Sequence, residues 1–159
     1  MKRLLFTLAT CCVMCACEQK TEINPFFTEF QTEYGAPDFT KIRLEHYEPA
    51  FLKGIEEQNA EIKAIVDNPE EPTFENTIVA LDKSGGILAR VSGVFFALTE
   101  ADTNDSLTAL NEKMAPVLSE HSDNIYLNQD LYKRVADVHQ QETVSYTHLR
   151  AHETRRHLV

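Results

Sequence analysis

The sequence predicts an all-α protein of antiparallel helices joined by short connections, and three observations carry that reading. Apolar residues recur at three- and four-residue spacing through four successive stretches. No stretch alternates apolar and polar residues as a half-buried strand does. Asn68-Pro69, Asn104 and Asn128 mark the breaks between the stretches. A length of 159 residues allows one domain and a modest core.

The first stretch, "HYEPAFLKGIEEQNAEIKAIVDNPEEP", places Pro49 in a first helical turn, where a missing N–H costs nothing. Phe51, Leu52, Ile55, Ile62, Ile65 and Val66 share a face, and Asn68-Pro69 stops the run. The second, "TFENTIVALDKSGGILARVSGVFFALTEAD", starts at Thr73 as N-cap, with Glu75 near the positive end of the helix. Its stripe of Ile78, Leu81, Leu88, Val91, Phe95 and Leu98 runs on through Gly85-Gly86, at a cost of about 1 kcal/mol per glycine relative to alanine. No Lys-Ser or Lys-Thr follows the pair, which excludes a phosphate loop and favours a tight helix crossing. The third, "NDSLTALNEKMAPVLSEHSDNI", turns Leu107, Leu110, Met114, Val117 and Leu118 inward and is expected to kink at Pro116. The fourth, "NQDLYKRVADVHQQ", is capped by Asn128 and turns Leu131, Val135 and Val138 inward.

Ahead of the helices, residues 1–17 read as an export signal. Lys2 and Arg3 precede an uncharged run from Leu4 to Ala16 that is shorter than the roughly 20 residues a membrane-spanning helix needs. The run ends in "MCAC", which resembles the bacterial lipobox, so Cys17 is the expected lipid-attachment residue; the alternative is an ordinary secretory signal cleaved nearby. All four cysteines lie at or before position 17, so a mature chain keeps no thiol for a disulfide framework or a thiolate zinc site. Acyl chains, at roughly 0.8 kcal/mol per buried methylene, would hold the protein to a membrane face of the bacterial cell envelope, towards the periplasm or exterior. Residues 18–40 read as a tether whose Phe26, Phe27, Phe30, Tyr34 and Phe39 have packing to do, since a pure spacer is more polar.

Charge divides the chain in the same places. Residues 18–143 carry ten Lys/Arg against 24 Asp/Glu, whereas residues 144–159 carry Arg150, Arg155 and Arg156 against Glu153 alone. An acidic body repels phosphates and has no counterions to release from them, which excludes nucleic acid as a partner.

The segments "IRLEHYEPAFLKGIEEQNAEIKAI", "PTFENTIVALDKSG" and "APVLSEHSDNIYLNQDLYKRV" resemble, in that order, the N-terminal region of the thimet oligopeptidase and peptidyl-dipeptidase family of zinc peptidases. The densest match is Pro72-Thr73-Phe74-Glu75-Asn76-Thr77-Ile78 with Leu81, and the likeness extends over residues 39–139. It implies that residues 41–143 are a truncated part of one helical wall of a two-lobed oligopeptidase that releases C-terminal dipeptides. The catalytic zinc of that family sits on a His-Glu-x-x-His helix far downstream, where histidines at i and i+4 lie about 40° apart and the intervening glutamate deprotonates metal-bound water. None of those ligands has a counterpart here, so no catalytic or metal residue is assigned and the chain itself is expected to be inactive. Oligopeptide and zinc belong to the whole enzyme.

The tail "HLRAHETRRHLV" does not supply the missing motif. His148 and His152 have i,i+4 spacing, but Glu153 follows the second histidine, His157 lies about 140° from His152, and three arginines repel a dication. Residues 144–159 resemble a translated adaptor or vector stretch and are set aside from the fold.

Elsewhere the residues read as structural. His46 is a helix-start or surface histidine, His121 a solvated helix end and His139 isolated. "DNPEEP" and "EADTNDS" lack calcium-loop spacing and read as a polar loop and a turn with an N-cap. Ser84 and Ser92 fall within a helix with no histidine placed near them, so a serine nucleophile has no support. Two readings compete with the peptidase region: a complete small helical lipoprotein acting as a binding or scaffold module, and a metal-binding protein using the tail histidines.

Overall fold

The computed structural model describes residues 23–141, and the expectations for Cys17, the leader and the tail lie outside them. The described residues form helices and no strand. They are α1 (Leu44–Val66), a π-helical turn (Phe74–Val79) that runs into α2 (Ala80–Lys83), α3 (Gly86–Ala101), α4 (Asp105–Tyr126) and α5, which occupies residues 129–141. The all-α class stands.

Side-chain pairs fix the helix directions. Along α1, Phe51 meets Phe95, Gly54 meets Leu88 and Gln58 meets Ser84, so α3 runs antiparallel to α1. Glu48 meets Lys113 and Gln58 meets His121, so α4 runs parallel to α1. Consecutive long helices therefore alternate in direction, as short connections require.

Aromatic rings form the centre. Phe51 and Phe95 pack edge to face with centroids 5.3 Å apart, Tyr47 meets Phe95 at 5.3 Å, and Phe26 meets Tyr47 at 5.2 Å. Ala50, Val91, Val94, Leu107 and Met114 complete this cluster. A second, smaller one joins Ile62 and Ile65 of α1 to Leu131 of α5, with Leu81 and Ile125 beside it.

Phe26 makes the N-terminal segment part of the fold. It is fully buried, and a short 3-10 turn (Pro25–Phe27) sets it there. Asn24 holds that turn in two directions: its Oδ1 accepts from the Phe26 N–H at 3.0 Å, and its Nδ2 donates to the His46 carbonyl at 2.7 Å. Arg90 donates to the Phe26 carbonyl at 2.8 Å. Of the aromatics expected to pack here, Phe26 and Phe30 do, whereas Tyr34 is almost wholly exposed.

Four details depart from the sequence reading. α1 begins at Leu44, so Pro49 lies beyond the first turn and leaves the Glu45 carbonyl without its helical donor. The second stretch is not one helix: Ser84 is extended and Gly85 takes φ 75°, ψ 30°, a left-handed conformation that ends α2 and starts α3. The tight crossing lies at Gly54 instead, where a Cβ would stand 2.8 Å from the Leu88 nitrogen and 2.9 Å from its Cα. Leu52, expected inward, is 49% exposed.

Two outcomes test this packing by denaturant unfolding. Gly54→Ala forces α1 away from the α3 backbone and is expected to lower stability by about 1–3 kcal/mol. The Tyr47 hydroxyl is buried with no hydrogen-bond partner among the described residues, and burial raises its pKa. Tyr47→Phe removes an unmet polar group and is expected to raise stability by up to about 1 kcal/mol.

Candidate functional site

Among the described residues a cleft of about 620 Å³ is walled by α3, α4 and α5, with α1 and the α2–α3 break beneath it. At its floor a half-buried polar chain ties three elements together. His121 of α4 is 6% exposed, and its Nε2 lies 2.7 Å from Gln58 Oε1. Gln58 Nε2 donates to Ser84 Oγ at 3.2 Å, and Ser84 Oγ donates to the Leu81 carbonyl at 2.8 Å. With the amide oxygen of Gln58 accepting, His121 must be the donor, so its Nε2 carries the proton. Beside this chain, Glu61 Oε2 accepts from the Gly85 N–H at 2.7 Å and fixes the helix break.

This arrangement corrects two expectations. His121 is no solvated helix end: α4 reaches Tyr126, one turn further, and carries His121 into the interior on the stripe of Met114 and Leu118. A histidine does approach Ser84, through Gln58. Yet it bonds the amide rather than the hydroxyl, whose own proton goes to Leu81, so no activated nucleophile results. The sequence signal for His121 was its spacing, three residues after Leu118 and four before Ile125, which places it on the buried face.

The other candidates are structural. His46 Nδ1 accepts from the Arg43 N–H at 3.1 Å at the start of α1. Asn104 accepts from Ser106 and Leu107, and Asn128 from Asp130 and Leu131, each at 3.0 Å. Thr73 accepts from the Asn76 N–H at 3.1 Å while Asn76 Oδ1 accepts from Thr73 at 2.8 Å, a reciprocal cap that launches the π-helical turn. Arg134 of α5 donates to the Asn68 carbonyl at 2.8 Å and reaches Asn76 Oδ1 at 3.4 Å. The loop "DNPEEP" is thus clasped by α5 through its backbone carbonyls.

Among the described residues, no group of three or more His, Cys, Asp or Glu is placed to hold a metal ion. A zinc ion does not fit these residues, and no chemical step of theirs runs through one.

No family model matches the chain. Among curated proteins, it is 48% identical over 120 residues to the dipeptidyl carboxypeptidase of Escherichia coli (strain K12), covering 76% of this chain. The dipeptidyl carboxypeptidase of Salmonella typhimurium (strain LT2) gives 46% over 118 residues, and oligopeptidase A of Escherichia coli 28% over 115. The helical region belongs to the thimet oligopeptidase family. The chain spans under a fifth of the length of these relatives, 18% of the first. Arg134 and Asn76, which lie in two of the segments that carry the family likeness, meet in space.

The buried His121 gives a pH test. Burial lowers its pKa below the usual 6.5. The unfolded chain therefore binds a proton near that pH that the folded chain refuses, so stability is full above it and falls as pH drops through it. Thermal unfolding between about pH 7.5 and about pH 5.5 is expected to show a steeper loss for the native chain than for His121→Gln. Parallel curves would show that His121 titrates as if in water.

Proposed function

We propose that this chain is the N-terminal helical region of an exported zinc metallopeptidase that cleaves oligopeptides and releases C-terminal dipeptides. The observation that carries the reading is the ranking of its relatives. Identity to proteins named dipeptidyl carboxypeptidase is 48% and 46%, against 28% for one named oligopeptidase A, over nearly the same residues. Coverage of 18% of the first relative supports a role as one part of the larger enzyme. What the described residues contribute is form: two apolar clusters, capped helix starts and a clasped loop.

On this reading the chain has no catalysis of its own. The purified 159-residue chain is expected to release no dipeptides from an oligopeptide and to hold no stoichiometric zinc, whereas a product translated past codon 143 with His-Glu-x-x-His downstream does both and loses activity to a chelator. Chelator-sensitive hydrolysis by the short chain, abolished on removal of residues 144–159, would overturn the proposal. A downstream frame without the motif would instead leave a helical module without catalysis.

We also propose attachment to the cell envelope through a lipidated Cys17. No helix of the described residues is long and apolar enough to cross a membrane. Mass spectrometry of the mature N-terminus is expected to find an acylated Cys17, and Cys17→Ser to free the protein from the membrane fraction; an unmodified N-terminus at another residue excludes the anchor.

A further inference from the structure

The segment ahead of α1 is tied to the fold, yet it leaves apolar side chains in water. Phe26 is buried against Tyr47 near the start of α1, and Asn24 and Arg90 hold the backbone there. Gly35 and Pro37 return to the same part of α3, where they line a hollow with Arg90 and Gly93. Around that point Ile23 is 75% exposed, Phe27 39% and Tyr34 96%. Phe27 adjoins the Phe26 carbonyl that Arg90 binds, and Tyr34 adjoins Gly35, so the two rings border one stretch of surface.

Tyr34 takes φ 61°, ψ 15°, a left-handed conformation rare outside glycine. The Gly35 N–H donates to the Thr32 carbonyl at 3.1 Å and holds the turn. An exposed ring kept in such a conformation gains nothing from packing within the described residues; strain of this kind is a sign of a surface made for contact.

Chain length places a membrane nearby. Six residues separate Cys17 from Asn24, a span of at most about 25 Å when fully extended. With acyl chains on Cys17 in a bilayer, Asn24 lies within that distance of the bilayer surface, with Phe27 and Tyr34 beside it. The other end of the bundle is free of that limit: Ile65, which clusters with Ile125, lies about 27 Å along α1 from Tyr47. The charged residues between Ile23 and Pro37 are Glu29 and Glu33, so anionic headgroups are not attracted. A tyrosine ring suits the interface itself, its apolar body against acyl chains and its hydroxyl among headgroups.

We propose that the surface bearing Ile23, Phe27 and Tyr34 rests on the bilayer interface beside the lipid anchor, so that the helices stand with the start of α1 towards the membrane. The inference rests on the reading of Cys17 as lipid-modified. It goes beyond that reading by naming a second contact and the orientation it imposes.

The sequence holds no tryptophan, so a single introduced one is the sole indole signal. Phe27→Trp, Tyr34→Trp and Tyr126→Trp are each made in the 159-residue chain, and mass spectrometry records the state of Cys17. The proteins are then placed in phosphatidylcholine vesicles whose acyl chains are brominated. Phe27→Trp and Tyr34→Trp are expected to shift to shorter wavelength and lose about half of their emission or more. Tyr126→Trp, next to Ile125 at the far end, is expected to lose less than about a tenth. The quenching is expected to persist in about 1 M salt and without anionic lipid. Adding Tyr34→Asp to Phe27→Trp is expected to reduce quenching about twofold, while circular dichroism shows that the helices persist.

An acylated Cys17 with all three variants quenched equally, or none quenched, overturns the contact and leaves the anchor standing. An unmodified Cys17 overturns both. Quenching that needs anionic lipid also overturns the proposal. A blue shift without vesicles that grows with protein concentration would make a second copy the occupant. Quenching that disappears in the full-length enzyme would make the rest of that enzyme the occupant, and either result sinks the proposal.

Discussion

The close approach of α1 and α3 at Gly54 is the constraint on which the rest of the structure depends. With no side chain at that position, the two backbones meet near Leu88, and only at that separation do Phe51 and Phe95 reach edge-to-face contact. Tyr47 and Phe26 extend the ring contacts to the N-terminal segment. The same approach brings Gln58 and Glu61 of α1 against the Ser84–Gly85 break, so a half-buried amide and a carboxylate can hold a break that helix propensity alone would not place there.

Polar groups follow from that geometry and serve the fold. Gln58 bridges α1 to both the break and α4, and Arg134 and Asn76 bridge α5 to the loop before the π-helical turn. Hydrogen bonds that link separate helices in this way favour one arrangement of those helices, as those along Gln58, His121 and Ser84 do. Ion pairs such as Lys113–Glu48 lie on the exposed surface, where their net contribution is within about 1 kcal/mol. A region so organised supplies position and shape.

Legibility varied with the range of the interaction. The caps at Thr73 and Asn128 and the turn with its cap before α4 were readable because a capping side chain bonds N–H groups two or three residues away. The inward stripes were readable wherever one face met one neighbour, as with Leu107 and Met114 or Leu131 and Val138. Leu52 misled because α1 is covered on one side only, and periodicity gives a face without saying how wide its cover is. His121 misled because its titratable ring suggested water, while its position on the stripe of Met114 and Leu118 put it inside.

The sequence by itself determined the helical class, the caps, the acidic body and the absence of a zinc-peptidase motif, since each is written in neighbouring residues or in composition. It also carried the family likeness. The tertiary structure decided where the chain breaks and what touches what: the left-handed turn at Gly85, the crossing at Gly54, the burial of Phe26 and the pairing of His121 with Gln58. Those features join residues that lie between about twenty and more than sixty positions apart. Their energies depend on burial and approach, which no local pattern encodes.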